Sequence, residues 1–144
     1  MIRYNKTIQT AVAIVSYLAE HYDGEQTRAS SHDIADGRHL SKPLVAKLLT
    51  RLSQKKLLGS TPGPNGGYWL SRPPADINIY DVACCFDDPE VLPLCPFGPH
   101  WCGTQKPCPL HQDFIDMSEQ FVEFLKDTTF QRFIESSVQH EIFE

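Results

Sequence analysis

The sequence predicts a mainly α fold that carries one small β-hairpin. Three observations point there. Apolar residues recur at helical spacing over 7–21 and again over 44–52, a Gly/Pro/Asn stretch at 61–67 separates two short apolar runs, and a long amphipathic stretch lies late in the chain at 110–126. Apolar positions three or four apart fall on one side of a helix, and a turn-rich break between short β-formers marks a hairpin.

The first helix runs from Thr7 to His21, with Ile8, Ala11, Val12, Ile14, Val15, Leu18 and Ala19 on a broad buried face, and Asp23-Gly24 ends it. Ser30 or Ser31 caps a short second helix. Asp33 stands where it completes a capping box, Ile34 and Ala35 turn inward, and Gly37 is the expected break. Ser41 then caps a third helix, with Pro43 in its first turn, where a missing N–H costs nothing. That helix buries Leu44, Val45, Leu48, Leu49 and Leu52 and runs to about Lys56. Short helix, tight turn and amphipathic helix in succession are the pattern of a helix-turn-helix. Strands over 57–60 and 68–71 follow, joined by Thr61-Pro62-Gly63-Pro64-Asn65-Gly66-Gly67, and a hairpin in this position makes a winged helix-turn-helix.

Pro73-Pro74 marks a boundary, so residues 1–74 are expected to form one unit and 75–144 a second. A short helix is expected from Ile77 to Phe86, with Ile79, Val82, Ala83 and Phe86 inward; 87–109 is then rich in Pro and Gly without periodicity. A long helix from Leu110 to Lys126 carries Phe114, Ile115, Met117, Phe121, Val122, Phe124 and Leu125. After Asp127-Thr128-Thr129 a last helix runs through Phe130, Phe133, Ile134 and Val138. The long helix has more apolar surface than a small winged helix can cover, so a two-fold homodimer contact is its economical use.

Charge points to a partner. The chain of 144 residues has a net charge of −5, yet residues 37–75 hold Arg38, Lys42, Lys47, Arg51, Lys55, Lys56 and Arg72 and no acid. One basic segment between acidic flanks is the footprint of a surface for phosphate backbones, here double-stranded DNA. Lys42, Pro43, Lys47 and Arg51, with Ser41 at the helix start and Asn65 and Gly66 at the wing tip, are the expected contacts. Lys47 and Arg51 are read as phosphate contacts, which position rather than specify. No nucleophile–base pair, phosphate-binding glycine loop or spaced carboxylate pair is legible, so the sequence does not read as an enzyme. The absence of a signal-like start and of any membrane-length apolar run leads to the expectation of a cytoplasmic protein without a membrane partner.

Cys95, Cys102 and Cys108 fall within fourteen residues, with six residues between the first two, five between the second two, and two more before His111. Thiolates are soft ligands for iron–sulfur clusters and for zinc. Zinc sites usually use close Cys pairs, and the wider gaps here suit a larger object. A zinc staple and unligated, oxidisable thiols stay as alternatives. His111 can face the same point, whereas His100 is a weaker candidate. Cys84 and Cys85, in the short helix, read as small core residues.

These motifs in order resemble the family of winged-helix transcription regulators that includes the iron–sulfur cluster regulator IscR and the nitric-oxide sensor NsrR. The resemblance rests on Ile34-Ala35 with Ser41 through Leu52, Gly63-Pro64-Asn65-Gly66-Gly67-Tyr68, Arg72-Pro73-Pro74 with Ile79-Tyr80-Asp81-Val82, the cysteine segment, and Thr128-Thr129. It covers nearly the whole chain. It implies homodimers on a palindromic operator with a cluster on the loop of each subunit; the expected function is a repressor that senses redox state, nitric oxide or iron–sulfur status. By position, Cys95, Cys102 and Cys108 match the cluster cysteines and His111 the fourth ligand of the 2Fe–2S regulators. Where relatives complete a 4Fe–4S site with a carboxylate near the N-terminus, this chain has Gln9, which favours 2Fe–2S. There are three further departures. The first cysteine gap is one residue longer than is common; Pro62 replaces an arginine before the wing glycine; Ala46 replaces a glutamate that discriminates operators. The operator sequence therefore does not transfer.

Overall fold

The computed structural model describes residues 6–86 and 109–136. Cys95, Cys102 and Cys108, the aperiodic 87–108 segment and Val138 lie outside them. Helix α1 (Lys6–Glu20) leads into α2 (Ser31–Arg38) and α3 (Lys42–Gln54). Strands β1 (Leu58–Thr61) and β2 (Gly67–Leu70) follow, then a 3-10 turn at Pro74–Asp76, α4 (Ile79–Ala83) and α5 (His111–Asp127). Residues 131–136 are again helical. This is the mainly α winged helix-turn-helix that the periodicities predict.

Among the described residues the core is one cluster. Ile8, Ile14 and Val15 of α1 meet Ile34 of α2, Val45, Leu49 and Leu52 of α3, and Leu58 and Leu70 of the hairpin. Ile77, Val82, Leu125 and Phe130 extend the same cluster past residue 74. Burying each such side chain contributes about 1.5–3 kcal/mol.

Local chemistry sets the helix ends. Ser30 caps α2, its hydroxyl accepting from the Asp33 amide at 3.1 Å, while the Asp33 carboxylate accepts from the Ser30 amide at 3.1 Å. The Ser30 hydroxyl, and then the Ser30 amide, hold the Asp33 carboxyl below its usual range. Asn78 and Asp81 form the same reciprocal box at the start of α4. The expected break at Gly37 is corrected: Gly37 lies inside α2, and the turn is made by His39 in the left-handed region at φ 55°. There the Leu40 amide reaches back to the Ala35 carbonyl at 2.9 Å, satisfying a carbonyl the helix end leaves open. Gly37 is instead a packing residue, since a Cβ there would stand 2.4 Å from the Tyr17 ring. Helix α3 ends alike, with Lys56 at φ 62° and the Leu57 amide bonded to the Leu52 carbonyl.

The hairpin pairs Leu58 with Leu70 and Thr61 with Gly67. A third segment joins its far side: Ala29 and Tyr68 exchange both backbone hydrogen bonds, at 3.0 and 2.8 Å. The segment between α1 and α2 thus anchors the wing to the helix-turn-helix. A comparable clamp closes the second half, where Ile79 N–H bonds Thr128 O and Phe130 N–H bonds Ile77 O, each at 3.0 Å.

Candidate nucleic-acid interface

Packing of Val45, Leu48, Leu49 and Leu52 into the core turns the other side of α3 outward, and Ser41, Lys42, Pro43, Ala46, Lys47, Thr50 and Arg51 are all exposed. Ser41 is the N-cap, yet its hydroxyl makes no capping bond, and Pro43 sits in the first turn. At the wing tip Asn65 is exposed and Gly66 half-buried.

The basic segment divides once the partners are seen. Arg38 is structural: it pairs with Glu20 at 3.0 Å, donates to the Ser16 hydroxyl at 3.3 and 3.2 Å, and lies 5.4 Å over the Tyr17 ring. Arg72 pairs with Asp81 at 3.8 Å. Arg51 donates its Nε to the Cys85 carbonyl at 3.0 Å, which ties α3 to the end of α4. Among the described residues Lys42, Lys47, Lys55 and Lys56 have no carboxylate within ion-pair distance. The unpaired positive charge of this segment is therefore carried by those four lysines and Arg51, a narrower set than its seven basic residues.

Sequence reasoning missed Arg28. Its guanidinium lies 5.0 Å over the Trp69 ring, beside the wing. The signal is tertiary, since only the Ala29–Tyr68 pairing brings residue 28 alongside residue 69.

Of the expected metal ligands His111 alone lies among the described residues, half-buried as the first residue of α5. Among the described residues no three His, Cys, Asp or Glu side chains gather as a metal site. Cys84 and Cys85 behave as core residues. Cys85 is buried and donates its thiol to the Asp81 carbonyl, and burial, aided by Cys84, pushes its pKa up to about 11. Burial also raises the Cys84 thiol. Both are held as thiols against the core and neither is a ready thiolate.

The apolar face of α5 is divided. Val122 and Leu125 pack inward, while Leu110, Met117 and Phe124 are exposed at 46%, 55% and 51%. With half-buried Phe114 and Phe121 they form a stripe at alternating four- and three-residue spacing, the repeat of a coiled-coil seam. No described helix is long and apolar enough to cross a membrane.

Comparison with known proteins agrees with this architecture. A protein of Aquifex aeolicus (strain VF5), provisionally named an HTH-type transcriptional regulator, is 28% identical over 139 residues, 95% of this chain and 94% of its own length. The HTH-type transcriptional regulator IscR of Klebsiella pneumoniae (strain 342) is 29% identical over 97 residues, 67% of this chain and 59% of that one. Among solved structures, CymR, the global cysteine regulator of B. subtilis, superposes with a TM-score of 0.78 at 20% identity, covering 94% of this chain and 98% of that one. T. potens IscR superposes with a TM-score of 0.72 at 20% identity over 94% and 88%. Residues 4–136 match the Rrf2 family, described as an iron-dependent transcriptional regulator, and the chain belongs to that family of winged-helix transcription regulators.

Proposed function

We propose that this protein is a homodimeric transcription repressor that binds a palindromic operator and responds to redox state, nitric oxide or iron–sulfur status. The observation that carries the DNA half is the exposed face of α3, where Lys42 and Lys47 have no acidic partner among the described residues and the wing hairpin is fastened alongside. Lys42, Pro43 and Lys47 contact the major groove and its phosphates, Ser41 offers its hydroxyl at the helix start, and Asn65 and Gly66 bring the wing to the backbone. Arg51 adds its remaining N–H groups beside Lys47 while its Nε holds Cys85. The α5 stripe of Leu110, Met117 and Phe124 pairs two subunits, which sets two α3 helices about one duplex turn, ~34 Å, apart.

For the sensing half, three thiols from Cys95, Cys102 and Cys108 with the His111 imidazole suit a 2Fe–2S cluster, with 4Fe–4S as the alternative. Cys85, buried and hydrogen-bonded to the Asp81 carbonyl, is left out of this ligand set. Such a cluster supplies redox- and nitric-oxide-reactive chemistry when bound. The chain's own part is positional: His111 opens the helix that carries the subunit seam, and Arg51 links the end of α4 to α3. A ligand-dependent shift of either contact biases the dimer between arrangements that fit the operator and arrangements that do not.

Two measurements test this reading. Anaerobically purified protein is expected to be coloured and to contain iron and sulfide, and Cys102→Ala to lose the chromophore; a colourless protein containing zinc overturns the cluster. In salt titrations of duplex binding, Lys47→Ala is expected to lower the slope of log K against log salt by about one. An unchanged slope removes Lys47 from the interface.

A further inference from the structure

We propose that Arg28, outside the helix-turn-helix, is a phosphate clamp that grips the DNA backbone next to the wing; the inference rests on the DNA-binding reading above. The wing loop Pro62-Gly63-Pro64-Asn65-Gly66 contains no cation, so the hairpin reaches a polyanion without charge of its own. Arg28 stands beside it. It is exposed, and among the described residues no carboxylate lies within ion-pair distance of it.

Its place is built twice over. Ala29, the next residue, is bonded to Tyr68 of β2 through both backbone groups, which fixes the path of the chain at residue 28. The Trp69 indole under the guanidinium lies across β1 at Gly59, where a Cβ would come within 2.4 Å of the ring. Gly67 permits the close approach of the Ala29 segment, since a Cβ there would stand 2.8 Å from the Ala29 carbonyl oxygen. A guanidinium held over an aromatic ring keeps N–H donors free for an oxyanion, and arginine can bind phosphate through two parallel hydrogen bonds.

The surroundings select the kind of anion. Arg28 lines one hollow with Ser30, Pro64, Asn65 and Gly66, and the carboxylates of Glu25 and Asp33 border it too. Two acids beside one base make a poor trap for a free phosphate ion. A phosphate already carried in by a duplex seated on α3 and the wing needs only one well-placed cation at the outer edge. Arg28 therefore reads a polymer and not a small metabolite.

The test is a salt titration of binding to a fluorescein-labelled random-sequence duplex by fluorescence anisotropy, with thermal melts run on every variant. Arg28→Ala is expected to melt like the wild type, to bind about five-fold more weakly near physiological salt, and to lower the salt slope by about one. Arg28→Lys keeps the slope, because the charge remains, but binds more weakly than the wild type, because an ammonium lacks the planar fork. An unchanged slope in folded Arg28→Ala overturns the clamp. If Lys47→Ala lowers the slope and Arg28→Ala does not, the clamp alone fails. A wild-type protein that does not bind duplex DNA overturns the clamp and the DNA-binding reading together.

Discussion

Phe130→Ala is expected to lower the unfolding free energy by about 3–5 kcal/mol, measured by urea denaturation followed by far-UV circular dichroism. Phe130 is completely buried and heads the large side chains of the core. Its ring stacks on Phe133 at a centroid distance of 5.4 Å, and its amide bonds the Ile77 carbonyl. Truncation leaves a cavity where the chain leaving α5 is clamped to the start of α4, two segments that contribute Ile77, Val82 and Leu125 to the same cluster. A loss that large is a substantial part of the total stability of a small domain. A change below about 1 kcal/mol would mean that the second half does not depend on this junction.

Gly66→Ala is expected to damage DNA binding far more than stability. A Cβ at Gly66 would stand 2.0 Å from the Thr61 carbonyl oxygen and 2.8 Å from the carbonyl carbon and oxygen of Pro62. No side chain can yield there, because every clashing atom is backbone. The loop between Thr61 and Gly67 must be rebuilt, and the turn bond from Gly66 N–H to Gly63 O goes with it. Loss of even one of the proposed wing contacts to phosphate, about 1.5–3 kcal/mol, lowers duplex affinity by at least about ten-fold. The core residues of the hairpin, Leu58 and Leu70, lie at its other end, so the melting temperature shifts by only a few degrees. Unchanged affinity would place the wing away from DNA.

The helices were legible because their signals are local. Ile8 to Ala19 and Val45 to Leu52 repeat with the helical period, Ser30 and Asp33 announce a cap within four residues, and the Pro/Gly/Asn run announces a hairpin. The turn between α2 and α3 was misplaced because a left-handed glycine is the usual way to end a helix, and here His39 takes that conformation while Gly37 makes room for Tyr17. The division of labour among the basic residues was hidden for another reason. Arg38–Glu20 and Arg72–Asp81 join residues far apart in sequence, and only the fold shows that two arginines of the basic run are spent on the protein itself. Arg28 was missed from the opposite side: it lies among acids in sequence and becomes part of the wing only through the Ala29–Tyr68 ladder. For the cysteine ligands, spacing shows chemistry but not geometry.

The bond from Arg51 to the Cys85 carbonyl has a consequence in equilibrium terms. A contact shared by two elements transmits free energy both ways. Whatever factor a ligand of the following cysteine segment imposes on DNA affinity by moving that carbonyl, DNA seated on α3 must impose the same factor on the affinity for that ligand. A promoter that strengthens this contact on binding thereby raises or lowers the affinity of its own regulator for that ligand. Two operators can then leave their bound regulators loaded to different degrees at the same ligand concentration.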